Sequence, residues 1–181
     1  MQSDTLTAGS IIVAAYVLGA VPFGLIITRA IAGVDVRTVG SGNIGATNVL
    51  RAAGKKAAAL TLLADCLKGF FPVLLAFKVS PDGYVPVLAG ASAILGHTFP
   101  VFLGFKGGKG VATSLGVMLA ASPWIGLVCI ATWLAAAYLW RYSSLSALIA
   151  FALYPLLTFA TQSGNTPQGI LSLFVFGMTY Y

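Results

Sequence analysis

The sequence predicts an all-α integral membrane protein, a seven-span helical bundle with its N-terminus outside and its C-terminus cytoplasmic. Three observations carry that reading. Hydrophobic residues make up 59% of the 181 positions and charged residues only 8%, against about 25% charged in a soluble domain. The apolar residues fall into runs long enough to cross a hydrocarbon core about 30 Å thick. The bases gather in alternate gaps between those runs, as the positive-inside rule requires.

Taken in order, seven apolar segments make one polytopic domain over residues 1–181, with no internal repeat. The first, 9–31, is preceded by no base, so it lacks the charged start of a secretion signal and reads as a retained span. The second, 57–79, is long enough to span but carries Asp65 and Lys68 inside it. The third is 84–103. The stretch 111–140 is too long for one comfortable span, and Ser122-Pro123 divides it, because proline favours the first turn of a helix. It yields a short segment, 111–121, and a full one, 123–140. Eleven residues at ~1.5 Å each reach about half-way through a bilayer. Segment 111–121 is therefore a half-helix, or it includes part of the loop before it. The last two segments are 143–160 and 168–181.

Charge sets the orientation. With the N-terminus outside, the loop 32–56 is cytoplasmic and holds Arg37, Arg51, Lys55 and Lys56. The loop 104–110 is cytoplasmic with Lys106 and Lys109, and so is the turn around Arg141. The outer turn 80–83 holds Asp82, and the outer gaps at 122–123 and 161–167 are uncharged. Lys78 is the one base near the outer edge. Crossing 111–140 once would move Arg141 outside. A net charge of +6 fits nucleic acid in principle, but bases set between apolar runs point to topology and anionic ligands instead. Cys66 and Cys129 lie in apolar runs and read as small buried hydrophobes.

Two cytoplasmic loops carry the chemistry. The first reads Gly40-Ser41-Gly42-Asn43-Ile44-Gly45-Ala46-Thr47-Asn48-Val49-Leu50-Arg51. Its glycines let backbone N–H groups approach a ligand, Ser41, Asn43, Thr47 and Asn48 add neutral hydrogen-bonding groups, and Arg51 offers a fork that matches phosphate oxygens. From Ala46 the residues favour a helix whose N-terminus can face an anion. A flexible loop with an orientation-setting arginine fits the same residues. The second loop reads Gly104-Phe105-Lys106-Gly107-Gly108-Lys109-Gly110-Val111-Ala112-Thr113, four glycines and two lysines in front of a helix. It is not a nucleotide P-loop: three residues, not four, separate Gly104 from Gly108-Lys109, and glycine, not serine or threonine, follows. A basic linker is its plainer reading.

Asp65 and Lys68, three apart on one helix face inside a span, are expensive there and read either as a mutual ion pair or as part of a wet cleft. His97, the single histidine, stands in Gly96-His97-Thr98-Phe99-Pro100 near the inner end of the third span. With one histidine, no glutamate and no paired cysteines, no metal-ligand set can be drawn. Arg141-Tyr142-Ser143-Ser144 is a third polar patch, an interface anchor by itself and a third wall beside two phosphate loops.

The first loop from Ser41 to Arg51 and the second from Gly104 to Thr113 resemble two motifs of the bacterial acyl-phosphate-dependent glycerol-3-phosphate acyltransferases. Asp65-Cys66-Leu67-Lys68-Gly69 and Gly96-His97 resemble that family as well, in order and spacing, over nearly the whole chain. The resemblance implies a multi-pass enzyme of the bacterial inner membrane with its active site facing the cytoplasm. It implies transfer of a fatty acyl group from acyl phosphate to the sn-1 hydroxyl of glycerol 3-phosphate, giving 1-acylglycerol 3-phosphate and phosphate, with no cofactor. An acyl phosphate synthase would supply the donor. Ser41, Arg51, the 107–110 loop and His97 match the family's active-site positions. The expected catalytic residues are Ser41, His97 and Asp65. The expected phosphate-binding set is Ser41, Gly42, Asn43, Gly45, Asn48, Arg51, Lys68, Lys106, Gly107, Gly108, Lys109, Gly110, Thr113, Arg141 and Ser143. Members of that family continue past the last span into a basic tail, whereas this sequence ends at Thr179-Tyr180-Tyr181, so weakened turnover is expected. A membrane transporter of phosphate-bearing small molecules is the alternative, because intramembrane charge and glycine loops suit it too. The expected partners are the two substrates and membrane lipid, with no nucleic acid.

Overall fold

The structure, a computed structural model, describes residues 2–81, 83–161 and 167–178, the side chains of residues 2–4 excepted. Among them every regular element is helical: α1 (Gln2–Ala20), α2 (Phe23–Ala32), α3 (Ala46–Val79), α4 (Val85–Thr98), α5 (Val111–Ala121), α6 (Pro123–Trp140), α7 (Ser143–Thr161) and α8 (Pro167–Gly177). Single 3-10 turns occupy Val36–Thr38 and Val101–Leu103. The expected outer acid Asp82, the outer loop at 162–166 and the end of the last segment at 179–181 lie outside the described residues.

Five described segments are long and apolar enough to cross a membrane: Thr5–Ala32, Ala46–Val79, Val85–Leu103, Pro123–Trp140 and Ser143–Thr161. Helices α5 and α8 are apolar but shorter. The split of 111–140 falls at Ser122, with Pro123 at the first position of α6.

Three segments differ from the expected ones. The apolar run 9–31 is not one helix: it breaks at Val21-Pro22, because proline supplies no N–H and its ring turns the preceding residue away from helical geometry. The second span starts inside the expected loop, since α3 begins at Ala46, and the chain kinks at Gly54, whose φ of 80° and ψ of −177° are non-helical. That backbone region is open essentially to glycine alone. In the third expected segment, helix α4 stops at Thr98, two residues before Pro100. The remainder of the run is the 3-10 turn, closed by Gly104 in the left-handed region.

Helix α3 lies against α1, α2, α4 and α5, while α6 packs against α5 and pairs with α7. Glycines let α3 and α5 meet backbone to backbone. A Cβ on Gly69 would overlap the Thr113 carbonyl, and one on Gly116 would overlap the Cys66 carbonyl. Without a solvent-driven force between helices in lipid, such small-residue contacts are what draws spans together. The core is apolar and comes from most of the helices, with Val73, Ile94, Met118, Phe151, Tyr154 and Leu171 at its centre. Large apolar side chains such as Phe71, Leu75, Leu134 and Leu173 point outward and are more than half exposed. A lipid-facing surface has this character, and the helices satisfy their own backbone polar groups as a lipid environment demands.

Candidate active site

The first loop is built before it can bind anything. Asp35 caps the 3-10 turn by accepting from the Arg37 N–H, and its carboxylate takes hydrogen bonds from both Arg29 and Arg37 at 2.7 Å. The Arg37 guanidinium, aided by Arg37's own N–H and by Arg29, holds the Asp35 carboxyl well below the usual carboxylate range. Asn48 then staples the loop. Its Nδ2 shares two protons among the carbonyls of Val36, Val39 and Asn43 at 2.9–3.0 Å, and its Oδ1 accepts from the Ser41 N–H at 3.1 Å. Gly40, at φ 57°, is pressed on that same Oδ1, so a side chain there would displace the staple. Asn43 accepts from the Gly45 N–H at 2.8 Å and delivers the chain into α3.

The second loop is anchored differently. Gly107 N–H donates to the Thr98 carbonyl and Gly108 N–H to the His97 carbonyl, both at 3.1 Å. Gly108 is buried against the imidazole, where a Cβ would overlap His97 Nε2. Gly110, at φ 70°, turns the chain into α5 with no side-chain cap, so the first amides of α5 have no partner within the helix.

These two loops and the start of α7 surround one cleft of about 600 Å³. Ser41, Asn43, Gly45, Asn48, Arg51, Asp65, His97, Lys109, Gly110 and Ser143 line it. Its wall includes the first residues of three helices, at Ala46–Thr47 in α3, Val111–Ala112 in α5 and Ser143–Ser144 in α7. Three positive helix ends beside Arg51 and Lys109 make a place for a multiply charged anion. Across its mouth, Thr47 Oγ1 meets Ser143 Oγ at 3.2 Å and ties α3 to α7.

Seven of the expected site residues do not line the cleft: Gly42, Lys68, Lys106, Gly107, Gly108, Thr113 and Arg141. Each has a physical reason. The N–H groups of Gly107 and Gly108 are spent on carbonyls. Lys106 and Arg141 are exposed to the surroundings, and Arg141 takes the left-handed conformation that ends α6. Thr113 is fully buried against Gly69 behind the wall. Gly42, at φ 70°, shapes the loop by turning back over the Arg37 carbonyl. Lys68, only 2% exposed, donates to the Val21 carbonyl at 2.8 Å and pairs with Asp65 Oδ1 at 2.8 Å. At the Pro22 break its ammonium thus shares the Val21 carbonyl with the Phe23 N–H and lies over the ring of Phe23.

Sequence reasoning missed the apolar part of the wall. The same cleft is also lined by Leu50, Ala58, Leu62, Trp133 and Leu148. An apolar residue in an apolar helix sends no signal of facing a cavity, so only the packing of α3, α6 and α7 reveals these positions. Trp133 brings an indole N–H that has no partner among the described residues.

Comparison with known proteins gives one consistent answer. A family model described as glycerol-3-phosphate acyltransferase matches residues 9–181. A protein of Dechloromonas aromatica named glycerol-3-phosphate acyltransferase is 47% identical over 169 residues, 92% of this chain and 85% of that protein. One of the same name from Thiobacillus denitrificans is 52% identical over 149 residues, 80% of this chain and 74% of the other. Two crystal structures of PlsY, described as an integral membrane glycerol 3-phosphate acyltransferase, superpose on 97% of this chain and 87% of theirs. The glycerol 3-phosphate form has a TM-score of 0.90 at 43% identity, and the lysophosphatidic acid form 0.87 at 42%.

Proposed function

This chain belongs to the glycerol-3-phosphate acyltransferase family, and on that premise we propose that it transfers a fatty acyl group from acyl phosphate to the sn-1 hydroxyl of glycerol 3-phosphate at the cytoplasmic face of a bacterial inner membrane. The carrying observation is the mixed lining of one cleft: three helix N-termini with Arg51 and Lys109, and apolar side chains from α3, α6 and α7. A phosphate headgroup suits the first set and an acyl tail the second.

In the proposed reaction the hydroxyl oxygen attacks the acyl carbonyl carbon. The bond from that carbon to the phosphate oxygen breaks, and inorganic phosphate leaves with its electron pair. The hydroxyl proton passes to a phosphate oxygen of the bound substrate. Acyl phosphate is already activated, so the protein's work is alignment and stabilisation of developing charge. Arg51 and Lys109 hold phosphate, Ser41 and Ser143 orient it by hydrogen bonds, and Asn43 and the amides of Gly110 and α5 complete the cradle. Asp65 and His97 stand at the deep end of the cleft. A sixteen-carbon tail left in lipid avoids roughly 12 kcal/mol of exposure to water, at ~0.8 kcal/mol per methylene. That cost favours an enzyme built from spans: the broken pair α1–α2, then α3 to α8, seven in all, with an acyl phosphate synthase delivering the donor to the membrane.

The test is phosphate release by purified protein given acyl phosphate and glycerol 3-phosphate, with acyl-CoA as the control donor. Release with acyl phosphate alone among the donors, abolished in Arg51→Ala, supports the reading. Equal use of acyl-CoA removes the proposed donor. Flux of glycerol 3-phosphate across proteoliposomes without acyl transfer would make the chain a transporter instead.

A further inference from the structure

Asp65, Lys68 and His97 are each no more than 3% exposed; Asp65 and His97 line the cleft, with Lys68 behind them on Asp65. Lys68 Nζ lies 2.8 Å from Asp65 Oδ1, and His97 Nδ1 lies 3.8 Å from that same oxygen. A distance of 3.8 Å is too long for a hydrogen bond but within the reach of an ion-pair contact. The imidazole and the carboxylate therefore face each other directly. On its other side the ring presents Nε2 to Gly108, close enough that no side chain fits between them. The loop's own N–H of Gly108 is taken by the His97 carbonyl. His97 thus bonds the second loop through its carbonyl and packs its ring against Gly108.

We propose that Asp65 is a positioning residue that holds His97 with its proton on Nδ1, leaving a bare Nε2 turned toward the 107–110 loop, and that this fixes the loop which feeds Lys109 and Gly110 into the cleft. Two neutral forms of the ring exist, and the partner of one nitrogen decides which is present. A bare Nδ1 would set a lone pair against a carboxylate in a buried site. A proton there turns the contact attractive. Lys68 gives Asp65 its cation and ties it to the Val21 carbonyl, so the carboxylate is held still by the helix break between α1 and α2. Among the described side chains the other acid, Asp35, is engaged by Arg29 and Arg37 in the first loop. The link runs from the α1–α2 break through Lys68 and Asp65 to His97 and the loop. Its effect on turnover rests on the acyltransferase reading. The tautomer itself does not.

His97 is the only histidine in the chain, so histidine labelled with nitrogen-15 reports it alone in protein purified on a non-histidine tag. The wild type is expected to show a protonated Nδ1 and a bare Nε2 at neutral pH. The double variant Asp65→Asn/Lys68→Met, which removes both buried charges together, is expected to lose that preference. Its kcat/KM for glycerol 3-phosphate should fall by about 10–100-fold, mostly through KM. The single variant Asp65→Asn should do the same, and the double variant decides if the single one does not fold. If neither folds, the wild-type spectrum decides alone. A wild-type proton on Nε2, a doubly protonated ring at neutral pH, or a double variant with the wild-type tautomer would each overturn the proposal. A wild type with the expected spectrum but no acyl transfer would instead overturn the functional reading and leave the positioning intact.

Discussion

Asn48 shows how a residue can matter to a site without touching a ligand. The sequence places it among phosphate-binding groups, and it does border the cleft. Its amide protons, however, are committed to three carbonyls and its oxygen to Ser41. Asn48→Ala leaves those buried groups short of partners, which costs about 1–3 kcal/mol and releases Ser41. Asn48→Asp keeps the acceptor but loses the donors, so it should not rescue. Thermal unfolding in detergent checks this, and a wild-type midpoint in Asn48→Ala would refute it. Asp35 offers a separate test by pH. Its carboxyl is held below the ordinary value of 3.8, so the unfolded chain binds its proton first as pH falls. Its stabilisation is therefore complete above about pH 4 and is lost below it. The difference in midpoint between wild type and Asp35→Asn should stay flat from pH 5 to 8 and shrink on further acidification. Residue types told which groups could meet an anion. They could not tell which of those groups the loops had already used for their own folding, because a hydrogen bond consumed within a loop leaves no mark on its composition.

At the scale of elements, the breaks place the site. Gly54 separates the first two turns of α3, which carry Thr47, Asn48 and Arg51, from the long helix that carries Asp65. The glycine meets open space on its side-chain face, so its necessity lies in the backbone and not in packing. Gly54→Ala forces an alanine into a region with φ of 80° at a cost of order 1–3 kcal/mol. Straightening the helix to relieve that strain would swing Arg51 away from Lys109. The expected result is a large rise in KM for glycerol 3-phosphate with folded protein still recovered. Unchanged kinetics would show that the kink is incidental. Gly116→Val makes the opposite prediction: it wedges α5 from α3 at Cys66, and loss of monodisperse protein on size-exclusion chromatography is expected before any kinetic defect. Lengths and charges marked where these helices run, and Ser122-Pro123 marked the split between α5 and α6. The break at Val21-Pro22 had the same proline signal but lay inside an unbroken apolar run, where hydropathy outweighed it. Gly54 looked like one more small residue in a basic loop. Its kink exists because tertiary contacts hold both halves of α3, a cause that local sequence does not contain.

For the whole molecule, the cleft itself constrains orientation. Its wall takes the starts of α3, α5 and α7 and the end of α4, so these chain ends lie at one end of the bundle. Eight of the ten lysines and arginines fall in the segments joined there: Arg29, Arg37, Arg51, Lys55, Lys56, Lys106, Lys109 and Arg141. The other two are Lys68, buried in the ion pair, and Lys78, in the last turn of α3 at the opposite end. By the positive-inside rule this distribution supports the proposed cytoplasmic placement of the cleft, the side on which water-soluble glycerol 3-phosphate would reach it. Single cysteines test the assignment against a quiet background, since Cys129 is buried and Cys66 is partly covered. Replacements at Asn43, Lys106 and Arg141 should react with a membrane-impermeant maleimide only in inside-out vesicles. A replacement at Trp124, 80% exposed at the start of α6, should react only in right-side-out ones. Reaction of positions 43 and 106 from opposite sides would separate the two loops that the cleft requires to be together, and no rearrangement of side chains could restore a shared phosphate site.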